Sequence, residues 1–244
     1  MGFAPYALRT SLLQSQFFRN VAQILLILRI KPETEEYIQV YKLAKQLVKN
    51  KVDIVTGGGP GLMEAANLGA KDVKSKSKSF GLHIDLPFET SPNKHLDVTY
   101  HHKRFSSRLD EFMRISHAVI VTPGGIGTVL ELLYTWQLIQ VGHITARPII
   151  LVGTMWYGLL EWMKLNVLKK QLINASDFEN IIIVEHAEEA LDLLKPHINE
   201  FYTVNQNQIK LQVKKRIRSK RKLFEEGCYM KGCLLYTSPS PRDK

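Results

Sequence analysis

The sequence predicts a doubly wound, mostly parallel α/β sheet of Rossmann type. Three observations predict it. Runs such as Ala118–Val121 (AVIV) and Ile181–Val184 (IIIV) are short and apolar throughout, as expected of strands covered on both faces. They alternate with stretches of helical periodicity, the pattern of successive βα units. Two glycine-rich turns each follow a strand and open a helix, where ligands bind in such sheets.

In chain order, Val21–Leu28 is an apolar run of strand length. Glu33–Lys49 places Tyr37, Val40, Tyr41, Ala44, Leu47 and Val48 on one helical face. Pro32 and three early glutamates suit the N-terminus of that helix, Lys45 and Lys49 its C-terminus, and Asn50 its stop. Val52–Thr56 is the next strand, and the loop Gly57–Gly61 leads into a helix near Leu62–Asp72. Lys71–Ser79 is polar and reads as an exposed loop. Phe80–Leu86 reads as strand, Lys103–Ile115 as helix and Ala118–Thr122 as strand. A second glycine loop and a helix to about Val141 follow. Pro148–Val152 and Ile181–Val184 are strands, and Trp156–Lys170 and Ala187–His197 are helices. Six strands are therefore expected.

With 244 residues the chain has length for one α/β domain with a sizeable core. We divide it into an N-terminal extension (1–20), a Rossmann-like domain (21–200), a basic segment (201–231) and a tail (232–244). The tail, GCLLYTSPSPRDK, is Ser/Pro-rich and resembles a translated cloning adaptor, so it is left out of the fold. The longest aliphatic run, Ile24–Leu28, is far too short to cross a membrane. No secretory signal is evident, and the two cysteines, Cys228 and Cys233, cannot frame a disulfide-stapled body. A cytoplasmic protein with no membrane partner is expected.

The net charge of +10 is local: eight basic residues and no acid lie between Lys210 and Lys222, and the remainder is nearly neutral. A solvated helix or tail explains this run better than a nucleic-acid site, and nucleic acid is not an expected partner.

The two glycine turns are VTGGGPGLMEAA (Val55–Ala66) and VTPGGIGTVLE (Val121–Glu131). Glycines allow positive φ and close backbone approach, and successive N–H groups can form an anion nest. Neither turn is a Walker loop, because the Lys-Ser/Thr ending is missing, and neither is GxGxxG in the first βα unit. Glu131 is the only charged residue of TVLELLYTWQLIQV, a stretch apolar on nearly every side and expected to be buried. It is placed in the first helical turn, where complementing the helix dipole is one role. At the mouth of a sheet cleft a lone buried acid favours function instead. Arg108 lies at the margin of an apolar face made of Phe105, Leu109, Phe112 and Met113. Anchoring a phosphate and forming a surface ion pair with Glu111 are equally open to it.

PGGIGTVLE fits the PGGxGTxxE signature of the LOG proteins, which are cytokinin riboside 5′-monophosphate phosphoribohydrolases once mislabelled lysine decarboxylases. The chain also resembles them in GGGPGLMEAAN, in the LPFE…PN segment Leu86–Asn93, and in an arginine fifteen residues before the PGG proline, here Arg108. The resemblance runs from about Ile30 to Leu194. It implies hydrolysis of the N-glycosidic bond of AMP or an N6-substituted AMP to free base and ribose 5-phosphate. It implies Arg108 and Glu131 as catalytic residues. Substrate contacts would come from Gly57, Gly58, Gly59, Gly61, Met63 and Glu64, and from Pro123, Gly124, Gly125, Gly127 and Thr128. On this basis the glycine loops, with Gly124, Gly125, Gly127 and Thr128 foremost, hold the 5′-phosphate. Glu131 orients water and offsets oxocarbenium charge, and Arg108 anchors substrate and aids departure of the base. No metal and no organic cofactor is required, and a homodimer is expected. Two positions differ from the family pattern: Leu26-Ile27 stands where Gly-Ser is usual, and Leu109 where lysine is frequent. The alternative is a non-catalytic nucleotide or molybdenum-cofactor carrier.

Other features are set aside. His101-His102, read as helical, would point about 100° apart and lack a third metal ligand. Cys228-x4-Cys233 has no zinc spacing with a partner pair. There is no GxSxG elbow, and no lysine is singled out for a pyridoxal phosphate Schiff base. Trp156, Tyr157 and Trp162 are expected to be packing aromatics.

Overall fold

The computed structural model describes residues 20–25, 32–84 and 91–204. Seven strands form one sheet: β1 Asn20–Leu25, β2 Val52–Thr56, β3 Ser79–Ile84, β4 Val98–His102, β5 Ala118–Val121, β6 Ile149–Val152 and β7 Ile181–Val184. Their spatial order is β4-β3-β2-β1-β5-β6-β7. Every adjacent pair is parallel. The chain winds outward from β1 to β4, crosses back, and winds out the other way from β5 to β7. The strand order thus reverses between β1 and β5, the doubly wound arrangement that the sequence predicts.

The expectation of six strands is corrected to seven. β4 (VTYHH) is an edge strand with no fully buried residue, so it lacks the apolar run that marks a covered strand. His101 and His102 therefore sit on a strand, not a helix, and point to opposite faces of the sheet. The His101 ring meets that of His83, its register partner on β3, edge-on at 5.3 Å between centroids.

Helix α1 (Glu35–Lys49) begins two residues later than expected. Its N-cap is Thr34, whose hydroxyl accepts from the Tyr37 amide at 3.4 Å. Asn50 caps its C-terminus as expected. Helix α2 (Leu62–Lys71) follows the first glycine loop. Helix α3 (Phe105–Ile115) buries Leu109, Phe112 and Met113, but Phe105 is exposed and does not belong to the apolar face assigned to it. With Val55, Phe80 and Leu82, Phe112 and Met113 form one part of the core.

Helix α4 (Ile126–Gln140) is not buried all round. Thr128, Glu131, Leu132, Thr135 and Trp136 face inward, while Ile126, Leu130 and Leu133 are exposed, Ile126 at 87%. Leu132 and Trp136 join Val119, Val121, Ile149, Leu151, Trp156 and Leu160 in the second part of the core. The helix expected over 156–170 is α5 (Trp156–Trp162) continued by a π-helical segment, Met163–Leu168. Of its three aromatics only Trp156 packs; its indole donates to the Val152 carbonyl at 3.1 Å, while Tyr157 and Trp162 are exposed. A last helix begins at Ala187.

The chain divides into a unit ending at Asn199, which holds the sheet, and a second beginning at Glu200, described only through residue 204. Leu26-Ile27, most of the basic segment, both cysteines and the adaptor-like tail lie outside the described residues. Among the described residues no helix is long and apolar enough to cross a membrane.

Candidate active site

The two glycine loops follow β2 and β5, the strands that flank β1 on either side. In a parallel sheet the carboxyl ends of all strands share one edge. The loops therefore stand on both sides of the crevice where the strand order reverses, the usual ligand position of such folds.

The first loop is held by a buried polar network. Gly58 takes φ +77° and Gly61 φ +73°, the left-handed region open to glycine. The Gly58 amide donates to the Thr56 hydroxyl at 3.0 Å, and that hydroxyl donates to Asn67 Oδ1 at 2.8 Å. Asn67 Nδ2 donates to the Ser79 hydroxyl at 2.8 Å. Asn93, the last residue of the LPFE…PN segment, reaches the Gly58 and Gly59 carbonyls and Asn67 Oδ1 through Nδ2, at 3.1, 2.9 and 2.9 Å. A side chain at Gly57 would meet Met63 Sδ at 2.8 Å and Arg108 Nη1 at 3.6 Å, so loop, helix α2 and guanidinium converge there.

The second loop opens α4. At Gly124 a Cβ would meet the Thr128 side chain at 2.3 Å, so glycine is required there by close approach. Gly125 and Gly127 face open space on the exposed side of the turn. Pro123 lies against Gly153, whose Cβ position is 3.1 Å from Pro123 Cγ. Neither α2 nor α4 has a side-chain cap bond at its N-terminus. The first amides of each helix thus keep donor capacity. The two ends differ in charge. Glu64 lies in the first turn of α2 and offsets its dipole, whereas the first turn of α4 carries no acid. Glu64 also pairs with His95, Oε1 to Nε2 at 3.5 Å.

Arg108 and Glu131 meet. Arg108 Nη2 donates to Glu131 Oε1 at 2.7 Å, with the two side chains 14% and 11% exposed. The Glu111 pairing left open by the sequence is not made: Glu111 holds Arg114 instead, Oε2 to Nε at 2.7 Å. Phe105 and Phe112 flank the guanidinium, with ring centroids 5.3 and 5.8 Å from Cζ. Arg108 Nε is buried without a hydrogen-bond partner among the described residues. Glu131 is the sixth residue of α4, in its second turn and not its first, so complementing the helix dipole accounts for less of its placement. It lies one turn below Gly127 and Thr128, within reach of the same ligand. Burial pushes its carboxyl above the ordinary glutamate value, and the Arg108 charge and hydrogen bond pull it back down.

Leu109 is buried on the core face of α3, so it supplies packing where the family pattern has lysine. Among the described residues no cluster of metal-ligating side chains exists. The Thr56–Asn67–Asn93 network was not assigned from sequence. Its one legible sign is Asn67, a fully buried amide in an Ala-rich helix.

Fold and site together define a Rossmann-like α/β protein whose candidate functional groups gather at the switch point of the sheet. A family model described as "Possible lysine decarboxylase" matches residues 63–194, a span that includes Arg108, the second glycine loop and Glu131. The chain belongs to this family, the LOG family that its motifs resemble. A curated relative, the pyrimidine/purine nucleotide 5′-monophosphate nucleosidase of Escherichia coli K12, is 29% identical over 172 residues, covering 66% of this chain and 37% of that protein. The protein of the same name from Escherichia coli O157:H7 matches equally. The chain thus spans little more than a third of the length of these relatives.

Among solved structures, the molybdenum cofactor binding protein of Rippkaea orientalis superposes with a TM-score of 0.55 at 19% identity, covering 74% of this chain and 98% of that one. The molybdenum cofactor carrier protein of Chlamydomonas reinhardtii superposes at 0.53 with 16% identity, covering 73% and 98%. At such identity the likeness is one of fold.

Proposed function

We propose that the chain hydrolyses the N-glycosidic bond of purine nucleoside 5′-monophosphates, AMP or an N6-substituted AMP, to free base and ribose 5-phosphate. The observation that carries this reading is the Arg108–Glu131 pair at 2.7 Å, set near two glycine loops at the strand reversal. The activity named for the Escherichia coli relatives is of the same class.

The 5′-phosphate suits the start of α4. Its first turn carries no acid, and Gly125 and Gly127 leave space above it. The first loop faces the same ligand across the crevice and supplies further amides, with Glu64 offsetting part of the α2 dipole. Glu131 then lies beneath C1′. As the C1′–N bond lengthens, positive charge gathers on the sugar ring, and the carboxylate offsets it and orients the water that adds to C1′. The water gives its oxygen to C1′ and its proton ultimately to the departing base. Arg108 opposes the burial that raises the Glu131 carboxyl and carries a buried Nε–H that can turn to the substrate. These side chains suffice for the chemistry without a metal or organic cofactor. The exposed Ile126, Leu130 and Leu133 of α4 support a homodimer formed beside the site.

The test is incubation of the purified protein with AMP and with isopentenyladenosine monophosphate, following free base by chromatography. Base release establishes the reading. A folded protein that binds AMP and releases none points to the carrier alternative.

A further inference from the structure

The first glycine loop has a steric problem that its own sequence does not solve. Peptides between glycines rotate at little cost, and a rotated peptide turns a carbonyl oxygen to where an N–H stood. Gly57-Gly58-Gly59 has two such peptides, and the third, before Pro60, has a carbonyl and no N–H at all. An oxygen facing an anionic ligand would repel it.

Asn93 answers both carbonyls. Its backbone amide donates to the Gly58 carbonyl at 2.7 Å, and its side-chain amide reaches the same oxygen at 3.1 Å and the Gly59 oxygen at 2.9 Å. Because the peptide is planar and trans, holding the Gly58 oxygen directs the Gly59 N–H to the opposite side. Asn93 is itself fixed. Its Oδ1 accepts from the His95 amide at 3.1 Å, and its Nδ2 reaches Asn67 Oδ1 at 2.9 Å. Farther along the segment, the Asp97 amide donates to the Ser79 carbonyl at 2.8 Å, and Asp97 Oδ2 accepts from the Ser79 amide at 2.9 Å. The strand that follows the loop's own helix thus anchors the clamp.

We propose that Asn93 is a positioning residue for the first glycine loop: it holds the Gly58 and Gly59 carbonyls so that the loop presents N–H groups, not oxygens, to the nucleotide. This rests on the nucleotide reading above. It acts on binding, since the reacting groups Arg108 and Glu131 stand on other elements.

The test compares wild type with Asn93→Asp, which keeps the shape and loses the donor, and Asn93→Ala. Three quantities are read: KM and kcat for AMP, thermal midpoint, and amide hydrogen exchange of residues 57–61. We expect KM to rise about tenfold or more with kcat within about threefold, a folded protein with a somewhat lowered midpoint as the Gly58, Gly59 and Asn67 oxygens lose their donor, and faster exchange at 57–61. A KM within about twofold of wild type overturns the proposal. So does a fall in kcat at constant KM, which is what a partly unfolded population gives. Failure of both variants to fold also overturns it, since Asn93 would then brace the domain and not the loop. Should wild type release no base from any purine monophosphate, the nucleosidase reading fails, and exchange alone decides Asn93. Faster exchange in the variants upholds the clamp, and unchanged exchange refutes it.

Discussion

Arg108 on α3 and Glu131 on α4 share a hydrogen bond of 2.7 Å, from Nη2 to Oε1. The pair joins two helices from separate crossovers at the edge where ligands bind in doubly wound sheets. It leaves the Arg108 Nε–H, buried without a hydrogen-bond partner among the described residues, for a third party.

Glu131→Gln keeps the shape and removes the charge. Turnover should fall by about a hundredfold or more, in line with loss of a positioned charge at a reacting centre. AMP affinity by calorimetry should stay within about threefold. Unaltered turnover would refute the role given to Glu131.

Arg108→Ala strands a buried carboxylate. Stability should fall by about 2 kcal/mol in denaturant titration at neutral pH, the scale of a lost hydrogen bond to a charged group. Arg108→Lys should recover part of this and less of the turnover, since an ammonium lacks the planar fork.

The acid side of the pH–rate profile should report Glu131. Its carboxyl is raised by burial and opposed by Arg108, and the proposed role needs the ionised form. Activity is therefore present above the folded-state value and lost as pH falls through it, at a pH above that of an ordinary glutamate. Replacing Arg108 by glutamine removes the opposing charge and should move this limb to higher pH. A limb that stays in place would assign the titration to another group.

The glycines of the second loop separate two effects. Gly124→Ala drives a methyl into Thr128, so the turn must shift and both stability and activity should fall. Gly127→Ala meets only open space within α4, so stability should hold or rise by about 0.5–1 kcal/mol. Any rise in KM for AMP in that variant then reports a ligand brought close to the backbone.

Leu130→Glu places a charge on the exposed apolar side of α4. If copies of the chain pair through this side, sedimentation should show the variant as a monomer where wild type is a dimer.

Strands β5 and β6 were legible because a covered parallel strand is apolar along its whole length, as AVIV and IILV are, and the edge strand β7 carries the same kind of run in IIIV. β4 was not, because an edge strand needs no such run. The inward half of α4 was legible and its exposed half was not, because exposed and buried leucines look alike in sequence. Arg108 and Glu131 stand out in the sequence as a cation at the margin of an apolar face and a lone acid, but their contact depends on how α3 and α4 pack. Asn93 was visible only within a motif, since its acceptors lie 26–35 residues away.

The strand order has a consequence for assembly during synthesis. β1 leaves its β5 side open until the polypeptide has laid down three more strands and travelled back across the sheet. A ribosome that has released the first glycine turn but not yet the second holds half a crevice, still without Glu131. Such long-range pairing is slow, and any competence acquired there arrives late, when the returning strand docks.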